Sequence, residues 1–278
     1  MREIGILKGS SLVQILDTLL QEGTLKAVGK THILSAKHLQ TTRTSKLIIT
    51  ENHFIQGFFH DPSLNLGQVL VKKNILTPEQ LEEVQTQQKI RGLAGIGQIL
   101  LEKQIVEKER LIQLQRNFIE AIAYDILLWQ ETDFKLETEE MSERSLGEYI
   151  RKIISLEQFT LVQDFTLDAD KYLPVLNLLK DKFENMMTIL KRIRKVEMDE
   201  LSEIQKKVYR YINNRNSLLE VLILSDAGYF DTFSCIYQMI SQELIATGAT
   251  TPGNPLLLPK KKPSSATPVM KPVPARPA

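Results

Sequence analysis

Four histidines, one cysteine and two repeated glycines are the residues of this 278-residue chain whose types and spacing could do chemistry. His32, His38, His53 and His60 flank segments that read as strands, and His53 and His60 could lie near Asp61. A metal centre needs paired ligands at a fixed spacing, such as two histidines at i and i+4 on a helix, and no such pair is present. Cys235, between Phe233 and Ile236 in an apolar run with no basic neighbour, reads as a packed core thiol and not as a nucleophile. A single cysteine also excludes an intrachain disulfide and any multi-cysteine metal site, which fits a reducing compartment. No catalytic constellation is complete, so the expectation is a protein that is not an enzyme and has no cofactor.

The glycines belong to a phrase stated twice. LGQVLVKKNILTPEQLEEVQ, from Leu66, returns as IGQILLEKQIVEKERLIQLQ from Ile96, an offset of 30 residues with eight of twenty positions identical. Such self-similarity marks a duplicated structural unit. Each copy reads as a short helix, a turn and a longer helix. Asn74 stops the first helix, and Thr77-Pro78-Glu79-Gln80 supplies a cap, a proline at the first helical position and an acidic first turn. Leu66, Gly67, Gln68, Ile96, Gly97 and Gln98 are the candidate contacts for a ligand or partner. The simpler reading is that Gly67 and Gly97 allow close helix approach while the leucines fill a core.

Around the repeats, SLVQILDTLLQ places Leu12, Ile15, Leu16, Leu19 and Leu20 on one helical face, with Ser10 and Ser11 available as caps. GTLKAV, THILSA, SKLIIT and HFIQGFF read as short strands, the last two joined by a TENH turn centred on Asn52 and His53. Leu111, Leu114, Phe118, Ile122, Ile126 and Trp129 recur at spacings of three and four, a continuous buried stripe in which Trp129 is a core anchor. DFKLE then alternates like a strand returning to the sheet. Residues 144–159 and 172–196 read as connecting helices. SEIQKKVYRYI, SLLEVLILS and FDTFSCIYQMISQELI form a compact helical unit, with breaks at Asn213-Asn214 and Asp226-Ala227-Gly228.

Charge restricts the partners. The formal net charge is +1, but nothing acidic follows Glu243, while Lys260, Lys261, Lys262, Lys271 and Arg276 do, so residues 1–243 carry −4. The folded part therefore has no global attraction for nucleic acid. The outward positions of the last helix, Asp231, Ser234, Gln238, Ser241 and Gln242, contain no cation to release phosphate counterions, which argues against specific DNA binding. The basic cluster Lys191, Arg192, Arg194 and Lys195 reads as a solvated helix end. No apolar run reaches the length of a transmembrane segment and the amino terminus lacks a signal-peptide pattern, so a cytoplasmic location is expected. Eight of the eleven prolines lie from Pro252 onward, the composition of a disordered tail.

The leading helix LVQILDTLLQ, the GTLKAV strand, the LIITENHFIQGFF hairpin and the closing AIAYDILLWQETDFKLE together resemble the PATAN family. The doubled phrase is similar to the helical motif of secretion and pilus ATPases, some of which bind cyclic di-GMP. Leu66-Gly67, Leu70, Ile75-Leu76, Leu81 and Gln88 match that motif in the first copy, and Ile96-Gly97, Leu100, Ile105-Val106 and Leu111 in the second. The motif's leading arginine is replaced by Asn65 and Gly95, its later glycine by Asn74 and Gln104, and its final glutamine by Phe118 in the second copy. A cyclic dinucleotide favours guanidinium partners, so the lost arginines weaken that reading, and Arg91 is the nearest substitute. The resemblance implies an α+β chain: a small antiparallel sheet with a helical-repeat insertion, followed by an all-helical connector and a winged-helix-like unit. It divides the chain into a PATAN-like domain at 1–140 with the insertion at 65–118, a connector at 141–198, the winged-helix-like unit at 199–246 and the tail at 247–278. It further implies a non-enzymatic adaptor that binds a protein of a bacterial signalling or motility system, with a cyclic di-GMP sensor as the alternative.

Overall fold

Helices and a small antiparallel sheet are both present, and the fold is α+β. The computed structural model describes residues 2–41, 43–59, 65–91, 96–140, 158–180, 182–183 and 186–250. Most of the expected helix at 144–159, together with His60, Asp61 and the tail beyond residue 250, lies outside them.

Strands β1 (Arg2–Leu7), β2 (Lys30–His38), β3 (Thr44–Thr50), β4 (His53–Phe58) and β5 (Thr132–Glu140) form one antiparallel sheet in the order β1-β5-β2-β3-β4. Strand β5 enters the middle, pairing His38 with Thr132 at one end and Lys30 with Glu140 at the other. Its side chains alternate: Thr132, Phe134 and Leu136 are buried, while Asp133, Lys135 and Glu137 are partly exposed. Helices α1 (Leu12–Gln21) and α5 (Lys108–Leu127) bury their stripes in the core that includes this inner face. The two sheet edges differ. Residues 160–162 cover β4, with Phe54 N–H donating to the Thr160 carbonyl at 3.0 Å and Val162 N–H to Asn52 at 2.9 Å. Strand β1 carries a bulge at Gly5 and the charged Arg2 and Glu3, devices that discourage strand addition.

Four expectations are corrected. GTLKAV is a 3-10 turn at Thr24–Lys26, because Gly23 and Gly29, at φ 76° and 74°, reverse the chain on both sides of it and leave no extended stretch to pair. The hairpin turn is centred on Glu51-Asn52, at φ 47° and 66°, and His53 is already paired with Thr50. Two positive φ values match a type I′ turn, whose twist suits a hairpin. Ser11 makes no side-chain cap; α1 grows out of a 3-10 turn at Gly9–Ser11. Gly9 is pressed against the end of α5, where a Cβ would collide with the Ile126 carbonyl, and its N–H donates to Trp129 O at 2.9 Å.

The fourth correction concerns the connector. The helix expected at 172–196 is α6 (Val162–Lys180), and the residues read as its basic end form strand β6 (Thr188–Arg192). β6 pairs antiparallel with β7 (Ile245–Thr250), so the carboxyl-terminal unit is not all-helical. Its three helices, α7 (Glu203–Tyr211), α8 (Leu218–Leu224) and α9 (Tyr229–Ser241), lie between the two strands in sequence. Reciprocal capping boxes at Ser202/Gln205 and Ser217/Glu220 open α7 and α8. The breaks stand where expected, with Asn214, Asp226 and Gly228 at positive φ.

One hydrophobic cluster runs from α1 and the sheet through α5 and α6 into α7, α8 and α9. A second, of nine residues including Leu70, Leu81, Leu100 and Leu111, belongs wholly to the repeats. No helix among the described residues is long and apolar enough to cross a membrane.

Candidate functional site

The repeats are α2 (Leu66–Lys72) with α3 (Pro78–Arg91), and α4 (Ile96–Glu102) with α5. Asn65 opens α2 by accepting the Gln68 N–H on its Oδ1 at 3.0 Å. After α2 the chain turns at Asn74, and Ile75 N–H returns to Leu70 O at 2.9 Å; after α4 the same turn occurs at Gln104, with Ile105 N–H on Leu100 O at 3.0 Å. Thr77 and Gln80 cap α3 reciprocally, at 2.8 and 3.2 Å.

The six candidate contact residues occupy the first turns of α2 and α4. Leu66 and Ile96 pack against the repeat core. A Cβ on Gly67 would stand 2.5 Å from Leu81 Cδ1, and one on Gly97 3.1 Å from Leu111 Cδ2, so both glycines are points of close helix approach. Gln98 Nε2 donates to Glu102 Oε1 on its own helix at 2.7 Å. Gln68 lines a groove of about 460 Å³ between α2 and α3, with Val71 and Leu81 beside it and Glu82, Gln85 and Lys89 along α3. Gln68 is the one candidate of the six among the residues lining this groove. Its polar lining can hydrogen-bond and ion-pair with a ligand or chain segment, and it includes no arginine.

The described histidines are engaged locally. His32 Nδ1 meets Thr138 Oγ1 at 3.0 Å, His53 Nδ1 meets the Glu51 carbonyl at 2.8 Å, and His38 Nδ1 accepts the Thr41 N–H at 3.2 Å. Burial holds the His32 and His38 imidazoles below their ordinary pKa. The Trp129 ring meets His38 edge-on at 5.5 Å. Among the described residues no three acidic, histidine or cysteine side chains could hold a metal ion. Burial pushes the Cys235 thiol up to about 12, which suits a packed thiol and not a nucleophile. Arg192 lies 4.2 Å from the Tyr209 ring centre and donates to the Tyr209 carbonyl at 2.6 Å, so the basic cluster is partly structural.

Sequence reasoning missed a second, polar cleft of about 410 Å³ between α5 and α6. Glu120 accepts the Thr160 hydroxyl at 2.6 Å, and Thr160 Oγ1 accepts from Arg116 Nε at 3.3 Å. Burial raises the Glu120 carboxyl above the usual range, against the pull of Thr160 and Arg116. The group can hold a proton, but burial also raises the neighbouring Tyr124 hydroxyl far out of reactive range. A hydrophilic residue off the apolar stripe of α5 was the only signal in the sequence.

An ionic junction joins both repeats to the carboxyl-terminal unit. Asp226 accepts from Lys73 Nζ at 2.7 Å and Arg110 Nη2 at 2.9 Å, and Lys73 also donates to Leu224 O at 3.0 Å. Lys72 pairs with Glu220, and the Tyr229 hydroxyl donates to Asn117 O. Burial lowers the Lys73 ammonium pKa, and Asp226 opposes that shift. The fold and these surfaces describe an α+β scaffold whose duplicated insertion has its own small core and a polar outer groove. No family model, curated protein or solved structure matches the chain.

Proposed function

We propose that this protein is a non-enzymatic adaptor of a bacterial signalling or motility system, a PATAN-like scaffold that acts in the cytoplasm by binding another protein. The observation that carries the reading is the orientation of the doubled phrase. Its leucines face a private core, its glycines are spent on helix contact, and a polar groove remains on the outside. Such a surface suits recognition of a chain segment. Copurification with a defined signalling or motility protein, retained through size-exclusion chromatography, is the expected result; a turnover rate that survives single-residue controls overturns the reading. Calorimetry with cyclic di-GMP separates the adaptor from a nucleotide sensor. The adaptor gives no binding heat at high protein concentration, whereas saturable heat lost in Gly67→Trp and Gly97→Trp variants establishes the sensor.

A further inference from the structure

The two copies of the repeat present the same helical face to different surroundings. Gln85 on α3 and Gln115 on α5 are the same residue at the same place, one repeat apart. In the second copy, Gln115 Nε2 donates to the Ile55 carbonyl of β4 at 3.0 Å. Ile55 falls in the register shift between the Ile48–Gln56 and Ile49–Phe54 pairs, so the sheet register gives it no partner on β3. Ile112 and Ile119, on the same face as Gln115, are 6% and 2% exposed and belong to the main core. The second copy is thus docked on an extended segment of its own chain, with a glutamine amide reading one backbone carbonyl.

The first copy keeps the glutamine and changes its flanks. Ile112 and Ile119 correspond to Glu82 and Lys89, which are exposed, and the half-buried Gln85 lines the groove beside Leu81. Neither Glu82 nor Lys89 forms an ion pair among the described residues. We propose that this groove docks an extended segment of a protein partner, with Gln85 donating to a backbone carbonyl, a basic side chain opposite Glu82 and an acidic one opposite Lys89. The charged flanks select a soluble, charged segment over an apolar one, because burying an apolar side chain against them strands both charges. Glu82 and Lys89 are seven residues apart, about 10 Å along a helix or about three residues of extended chain, and because strand side chains alternate, four residues is the nearest spacing that keeps both partner charges on the face turned to the groove. This inference rests on the adaptor reading and specifies its partner.

The test uses the full chain and a labelled peptide, Thr-Lys-Val-Thr-Val-Glu-Thr, followed by fluorescence anisotropy. Saturable binding is expected, at least tenfold tighter than to the peptides with two lysines or two glutamates. Lys89→Glu should move the preference to the two-lysine peptide, Glu82→Lys to the two-glutamate peptide, and Gln85→Ala should weaken all three. Glu82 and Lys89 are exposed and Gln85 lines the groove, so circular dichroism should show unchanged folding. Binding that does not saturate, or a preference that none of the three variants moves, overturns the groove proposal. A signalling partner that copurifies equally with wild type and Lys89→Glu leaves the adaptor standing and removes the groove. Charge-selective peptide binding without any copurifying partner keeps the groove and removes the adaptor.

Discussion

Asn74 and Gln104 hold the same left-handed backbone, φ 56° and 54°, one repeat apart. Each ends a short helix so that the next residue can return its N–H to the helix, Ile75 to Leu70 and Ile105 to Leu100. Asparagine tolerates this region and glutamine gains nothing from it, so the second copy carries strain that the first avoids. Gln104→Gly should therefore stabilise the protein by about 1 kcal/mol, read as a higher urea midpoint at unchanged slope. Asn74→Gly should change it by less. Equal effects at both sites would show that glutamine is no more strained in this turn than asparagine.

The helix-contact glycines separate in the same manner. Alanine in a helix is favoured over glycine by about 1 kcal/mol, but a Cβ on Gly67 meets Leu81 Cδ1 at 2.5 Å, and overpacking costs about 1–3 kcal/mol. On Gly97 the contact is 3.1 Å to the end of the Leu111 side chain, which has only to shift by a few tenths of an ångström. Gly67→Ala should destabilise and Gly97→Ala should be close to neutral in chemical denaturation. The reverse order would mean that the close approach of α2 to α3 is not what these glycines serve.

The repeats were legible because their signals are local: Asn74 stops a helix, Thr77 caps the next, and the spacing of Leu111 to Ile126 is long and regular. Strand β1 was not legible, since REIGIL is short, has Gly5 at its middle and buries little. TILKR failed for a different reason. Ile189, Leu190 and Ile193 fit a helical period, and only pairing with Ile245–Thr250, more than fifty residues away, decides for a strand. The Glu120 cleft depends on Thr160, forty residues distant, and no spacing announces such a meeting. Of the candidate contacts, the glycine and leucine environments follow from periodicity, whereas the groove beside Gln68 is lined by side chains of both α2 and α3 and depends on how the two helices meet.

Asp226 takes two cations from different repeat helices, and its removal should strand one of them. The Lys73 side chain is only 3% exposed, and its other acceptor is the Leu224 carbonyl. Breaking a buried pair costs about 3–5 kcal/mol; Asp226 itself is partly solvated, so Asp226→Ala should cost about 1–3 kcal/mol. Lys73→Met should cost less, because no unpaired charge is then left inside. A double-mutant cycle on these two changes should give a coupling above about 1 kcal/mol; additivity would show that Lys73 is held by Leu224 alone.

Asp125 supplies the pH dependence. It is buried on α5, and burial pushes its carboxyl up to about 6, against the opposing pull of the Arg43 guanidinium. The Trp129 indole Nε1, buried nearby, approaches it without completing a hydrogen bond. A carboxyl raised in the folded state binds its proton more tightly there than in the unfolded chain, where it titrates at about 3.9. Its contribution is fully present below about pH 4, and it is lost as the pH rises through about 6. Two units correspond to roughly 3 kcal/mol at most. Asp125→Asn keeps the shape and removes the titration, so the stability of wild type relative to this variant should fall between pH 4 and pH 7 and then level off. Urea unfolding of both proteins at pH 4.5, 5.5 and 7 measures that difference. Parallel curves would mean that the carboxylate remains charged in the folded protein, held by Arg43, and that the Asp125 to Arg43 attraction outweighs the burial.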